Sequence, residues 1–264
     1  MNSEYKELCE NIWQDWRNGT LTIPKYLIDQ FYLQPEFLPE PYLIFNTGKE
    51  TAKSDKALYF LTTNPGNGWE GHQGREKLKA SYPENEKYEK VAHDFAEKYL
   101  NEILKGPAKR RVEGFIHLAE TLGYNQLIQV ESLPFHSKEL PNKFKLLSFL
   151  EKENADNIIN QYFTVLKNSM KDENVIVLSA IGTRKSISLE SLNTKWLKWQ
   201  SEVIGMDLSC AKIIALIENN GKVTSAFIYT NDNNILKGFI LMMGGNNMPG
   251  NGALDRIVGI FIGD

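Results

Sequence analysis

Apolar residues first recur at spacings of three and four, with Tyr5, Leu8, Ile12 and Trp16 between Ser3 and Asn18, which predicts an amphipathic helix closed by Gly19. Pro24, Pro35, Pro39 and Pro41 punctuate the next stretch, so 27–38 reads as a short helix followed by irregular chain. Tyr42 to Phe45 predicts a short strand. Ala57 to Thr62 holds four consecutive large apolar residues, Leu58 to Leu61, the composition of a strand buried on both faces of a parallel sheet. These two strands are expected to be neighbours. Asn67 to Glu84 shows neither period and reads as a long loop. The helical spacing returns at Tyr88, Val91, Phe95, Tyr99 and Ile103, and again at Val112, Ile116, Ala119 and Leu122 beyond Pro107.

Leu127 to Val130 predicts a second core strand, Ile158, Tyr162, Val165 and Met170 another helix, and Asn174 to Ser179 a third strand. Lys212 to Ile217 and Val223 to Tyr229 flank Asn220-Gly221, a strong hairpin signal. Ile235 to Met243 adds a strand, and a glycine- and asparagine-rich loop, 244–252, precedes a helix over 253–261. Three buried strands separated by helices demand crossover connections. The expected fold is therefore α/β, a three-layer α/β/α sandwich with a central, mainly parallel sheet and an added β-hairpin. One domain spans 1–264, with 1–50 as helical and irregular cover and 51–264 as core.

Right-handed crossovers bring the C-terminal ends of such strands to one edge, where ligands bind in open α/β sheets. Thr63, Asn64, Pro65 and Gly66 follow the first of these strands, and Pro-Gly is a tight turn able to hold Asn64 in one pose or simply to reverse the chain. Glu131, Ser132, Phe135 and His136 follow the second, and Gly182 to Lys185, with Arg184, follow the third. Asn64, Glu131, His136 and Asn247 are expected to share one pocket, with Trp69 beside it. Lys109, Arg110 and Arg111, at the start of a helix, read as a solvated face or, alternatively, as a contact for an anion.

A net charge of −3 and a pI near 5.9 exclude a strongly basic nucleic-acid binder and leave room only for a local basic patch. Two cysteines, Cys9 and Cys210, form neither a metal spacing nor a disulfide framework, which fits a cytoplasmic location. Four histidines without a His-Cys cluster predict no metal site; His93 and His117 fall on helices and read as structural. No apolar run approaches the roughly 20 residues of a membrane span, so no membrane association is expected. The loop 244–252 lacks the Walker lysine and the GxGxxG spacing, and no G-x-S-x-G elbow surrounds Ser179, so no cofactor is implied and a Ser/His hydrolase is the weakest reading.

A strand running into TTNPG, a second strand ending in Pro134-Phe135-His136-Ser137, a third strand, and a late Asn- and Pro-containing loop before a helix resemble the uracil-DNA glycosylase superfamily, in a bacterial branch with an NPG motif and a PFHS segment. In the mismatch-specific and single-strand-selective branches, the asparagine of a G-x-NPG motif positions the attacking water. The resemblance puts Asn64 in that role. It implies that His136 donates a proton at the leaving group, unless the ring is a capped loop histidine, and that Glu131 accepts from a base amino group or acts as a base. Trp69, Phe135 or Tyr59 would stack on the base, with Thr63, Pro65, Gly66, Ser132, Arg184 and Asn247 contacting substrate. The late loop, Asn246-Asn247-Met248-Pro249-Gly250, departs from the family's His-Pro-Ser or Asn-Pro-Ser, and Glu131 and Ser132 stand where a base-reading asparagine is expected, which points away from uracil itself. The expected function is removal or binding of a nucleobase in DNA; the alternative is a non-catalytic nucleic-acid or small-ligand binding protein of the same fold.

Overall fold

The structure, a computed structural model, describes residues 1–48, 57–63, 65–66, 75–139, 143–150, 156–181, 195–219, 222–232, 235–243 and 251–262. Helix α1 spans Ser3–Asn18: Asn2 caps its first turn by accepting from the Tyr5 amide, and Gly19, at φ +76°, ends it in the left-handed region that glycine enters without strain. Its apolar face is buried through Tyr5, Leu8, Ile12 and Trp16, the residues whose spacing predicts it. α2 is the short helix Lys25–Phe31.

Strand β1 (Tyr42–Asn46) is followed by β2 (Ala57–Thr62), helices α3 (Arg75–Ser81), α4 (Tyr88–Lys98) and α5 (Gly106–Thr121), and strand β3 (Gln126–Glu131). Helices α6 (Lys143–Leu150) and α7 (Ile158–Met170) lead to β4 (Val175–Ile181), and α8 (Lys195–Ile204) to strands β5 (Lys212–Asn219), β6 (Lys222–Asp232) and β7 (Ile235–Met243), before α9 (Asn251–Ile262). The described strands form one sheet in the order β1-β3-β2-β4-β7-β6-β5. β3, β2, β4 and β7 are mutually parallel, with β1 antiparallel at one edge and the β5–β6 hairpin antiparallel beyond β7.

Successive residues of a strand face opposite sides of the sheet, and β2 shows that helices cover both. The Tyr59 hydroxyl accepts from the Met1 amino group, just ahead of α1, whereas the Phe60 ring stacks on Phe115 of α5 with centroids 4.7 Å apart. α1 packs on α7, where the Tyr5 and Tyr162 hydroxyls meet at 2.8 Å, and α7 packs on α8. On the other side α5 packs on α9, and His117 bonds Asp255 at 2.7 Å. His93 lies on α4 and His117 on α5, both on helices as expected.

Two expectations fail locally. β1 does not neighbour β2, because β3 lies between them: Tyr42 stands opposite Val130, and Leu127 pairs Leu58. The stretch expected as a long loop contains α3, in which only Leu78 is buried, too little apolar signal for a helical period to be legible.

At the foot of β7, Lys237 is a buried cation whose ammonium donates to the carbonyls of Met170 at 2.9 Å and Lys171 at 2.8 Å, and to that of Glu173. It thereby satisfies acceptors that the end of α7 leaves without helical partners.

Candidate functional site

Of the parallel strands β2 comes first in the chain, which crosses from it to β3 on one side and later takes β4 on the other. The C-terminal end of β2 is thus the point where strand order reverses, the usual place for a ligand crevice. Thr63, Pro65 and Gly66 leave it there, half-buried and so within reach of the surface. Gly66 has φ +88°, which glycine adopts without the clash a Cβ would bring. Asn64, Trp69, Arg184 and Asn247 lie outside the described residues.

The segment after β3 runs alongside this turn. The Ser132 and Leu133 amides donate to the Thr62 and Thr63 carbonyls at 2.9 Å, and the Ser137 amide to the Gly66 carbonyl at 2.9 Å. On its other flank a strap, residues 32–41, prolongs the antiparallel β1–β3 pairing beyond both strand ends. The Glu131 amide donates to Pro41 O at 3.0 Å, Glu40 to Pro134 O at 2.7 Å, Gln34 to His136 O at 2.9 Å and Lys138 to Tyr32 O at 2.9 Å. Pro35, Pro39 and Pro41 keep the strap out of helix, while their carbonyls remain available as acceptors.

His136 sits where strap, turn and segment meet. Its Nδ1 lies 3.3 Å from the Gly66 carbonyl and its Nε2 3.3 Å from Glu40 Oε1, with the Phe37 ring edge-on at 5.8 Å. The histidine and Glu40 are each only 1 % exposed. Burial alone pushes the imidazole pKa down; the Glu40 carboxylate, the Gly66 carbonyl and the more distant Glu131 outweigh it and hold it above the ordinary histidine value.

Glu131, 2 % exposed, lies on the α5 side of the sheet, in register with Thr62. Burial pushes its carboxyl up to about 7, hydrogen bonds from the Thr62 hydroxyl and the Gln129 amide pull it down, Glu40 raises it and Arg111 lowers it. Such a group sits near the protonation balance that a general acid or base needs. Arg111 takes the anion contact rather than the solvated face: burial lowers its pKa against the pull of Glu131 and Tyr99, so it is a half-buried counter-charge, while its neighbour Arg110 is exposed.

The structure therefore brings Glu131 and His136 to one rim beside Thr63, Pro65 and Gly66, and buries both of them. Ser132 and Phe135 are buried too, Ser132 by donating its hydroxyl to Thr62 O at 2.7 Å. Sequence reasoning missed Glu40 and Phe37. The only signal for Glu40 is an acidic residue between two prolines in an apolar stretch, Leu38 to Leu43, that carries no period.

A cavity of about 500 Å³ opens elsewhere, lined by Ile44, Phe45 and Asn46 of β1 and by residues of α4 and the turn after it. It lies toward the end of β1 away from Glu40, and one of its carboxylates, Asp94, is already bonded by Lys90 and by the Tyr82 hydroxyl. The titratable cluster lies instead at the β2–β3 rim, beside the end of β2 where strand order reverses. Among the described residues no group of three or more His, Cys, Asp and Glu is placed to hold a metal ion, and no helix is long and apolar enough to cross a membrane.

No protein-family profile matches the chain, no curated protein is significantly similar to it, and no solved structure matches its fold.

Proposed function

We propose that the protein binds a nucleobase-containing ligand, DNA with an altered base first among them, at the turn Thr63 to Gly66, and acts there as a glycosylase of the uracil-DNA glycosylase kind. The observation that supports this reading most directly is the position of the turn: it leaves β2 where strand order reverses, and the segment after β3 is hydrogen-bonded along it. In this reading the sequence element Asn64-Pro65-Gly66 supplies the water-positioning amide. Glu131, pushed to about 7, supplies a group able to hold or release a proton close to neutral pH.

A second reading, binding without bond cleavage, is favoured by a specific observation: Glu131 at the end of β3 and His136 in the segment after it are almost wholly buried and bonded within the protein. They would then frame the turn rather than touch ligand.

The test incubates the protein with single- and double-stranded oligodeoxynucleotides carrying uracil or hypoxanthine, with Asn64→Ala as control. Base release abolished by Asn64→Ala, at a stability cost of no more than about 1–2 kcal/mol, supports the glycosylase. Binding without release supports the second reading. Neither binding nor release at low salt sinks both.

A further inference from the structure

His136 is enclosed by two acceptors. The Gly66 carbonyl faces Nδ1 and the Glu40 carboxylate faces Nε2, each at 3.3 Å, and neither carbonyl nor carboxylate has a proton of its own to offer. A neutral imidazole carries one N–H and can satisfy only one of them. Both contacts are made together only when the ring carries its second N–H, as imidazolium against carboxylate. The ring therefore holds this proton when both contacts are made.

The three groups come from three separate pieces of chain: the strap, the turn after β2 and the segment after β3. The same Gly66 carbonyl also accepts from the Ser137 amide, and the strap is itself tied to the segment through Gln34 and Glu40 amides. Moving Gly66 therefore breaks the ring contact and the Ser137 bond together. From this geometry we infer that Glu40 is a positioning residue which, acting through protonated His136, fixes Gly66 and with it the ligand-facing turn. The inference rests on the proposed function for the word ligand, but the clamp itself does not.

The charged and titratable groups around the ring set the direction of its pH response. Glu40 faces it from the strap and the more distant Glu131 acts on it from β3; Tyr99 and Arg111 interact with Glu131 in turn, and Tyr88 and Tyr99 with Glu40. The balance raises the histidine above its ordinary value of about 6.5, so the clamp is complete below that value and is lost as pH rises through the raised one.

The experiment is amide hydrogen exchange by NMR on the full chain between pH 5.5 and 8.5, corrected for intrinsic rates, with Ser137 as reporter of the Gly66 carbonyl. Protection of Ser137 should fall at least tenfold as pH rises through the His136 titration, followed by ring ¹⁵N shifts, while amides of the β2–β3 ladder stay protected. In Glu40→Gln the fall should move to lower pH, because the charge that holds the proton is gone; in His136→Gln it should vanish. In parallel, Kd for a uracil- or hypoxanthine-bearing single-stranded oligodeoxynucleotide should rise at least tenfold in Glu40→Gln at neutral pH. A flat Ser137 profile in the wild type, measurable even if the variants do not fold, overturns the inference. So does a profile that Glu40→Gln leaves in place. If the profile behaves as stated and the wild type binds no oligonucleotide, the clamp stands and the proposed ligand falls.

Discussion

Two regions of the sheet bury a cation, and they handle it in opposite ways. At the foot of β7, Lys237 meets only backbone carbonyls directly; burial pulls its pKa down to about 8, with Asp172 and Glu173 pulling weakly the other way. At the β2–β3 rim, His136 meets a carbonyl and a carboxylate, and its pKa rises despite burial. Neutral dipoles satisfy the hydrogen bonds of a buried cation without repaying its desolvation, whereas an adjacent full charge does repay it. The first arrangement finishes a helix end. The second joins three separate pieces of chain, and its strength depends on pH in the range where proteins work.

The contrast is broken most severely by Glu40→Ala, which removes the carboxylate that faces Nε2 of the buried His136. A stability loss of about 3–5 kcal/mol in urea denaturation is expected, the usual cost of removing one member of a buried pair. A loss below about 1 kcal/mol would mean that the pair is not coupled in solution.

Next in size is the pH dependence of the rim. Glu131 has a folded pKa near 7 against a reference of 4.5, so between these values the folded chain holds more protons than the unfolded one, and stability falls as pH rises. The fall is on the order of 3 kcal/mol. It should flatten in Glu131→Gln over that window, and denaturation midpoints measured from pH 4.5 to 7 decide it.

The smallest effect belongs to Lys237. Lys237→Met leaves the carbonyls at the end of α7 without their donor, and a loss of about 2 kcal/mol is expected from unsatisfied buried acceptors. The sign of its pH dependence is opposite to that of the rim. Between about 8 and 10.5 the unfolded chain keeps a proton that the folded one has released, so Lys237 makes stability rise with pH there, and Lys237→Met should remove that rise.

The alternation between helical spacing and short apolar runs carried most of the fold. α1, β2, β3, β4, β7 and the β5–β6 hairpin all lie where their patterns put them, and the three central strands are parallel members of one sheet. β1 was legible as a strand but not in its placement, because four buried residues set against one partner look the same whichever partner it is. Of the rim, Glu131 and His136 were legible as polar residues ending a strand. Their burial was not: polarity in sequence reads as exposure, and only the strap and α5 closing over them reverse it.

What the amino-acid order decided by itself was therefore local: where the backbone runs extended or helical, where Gly19 and Gly66 allow left-handed turns, and which strands are apolar enough to lie inside. What only the tertiary structure decided was which charges meet. Glu40 and His136 lie 96 residues apart, and Arg111 reaches Glu131 from another layer of the molecule. No periodicity links such positions, because their pairing depends on the packing of the strap and α5 against the sheet, and a protonation state set by burial exists only once that packing has excluded water.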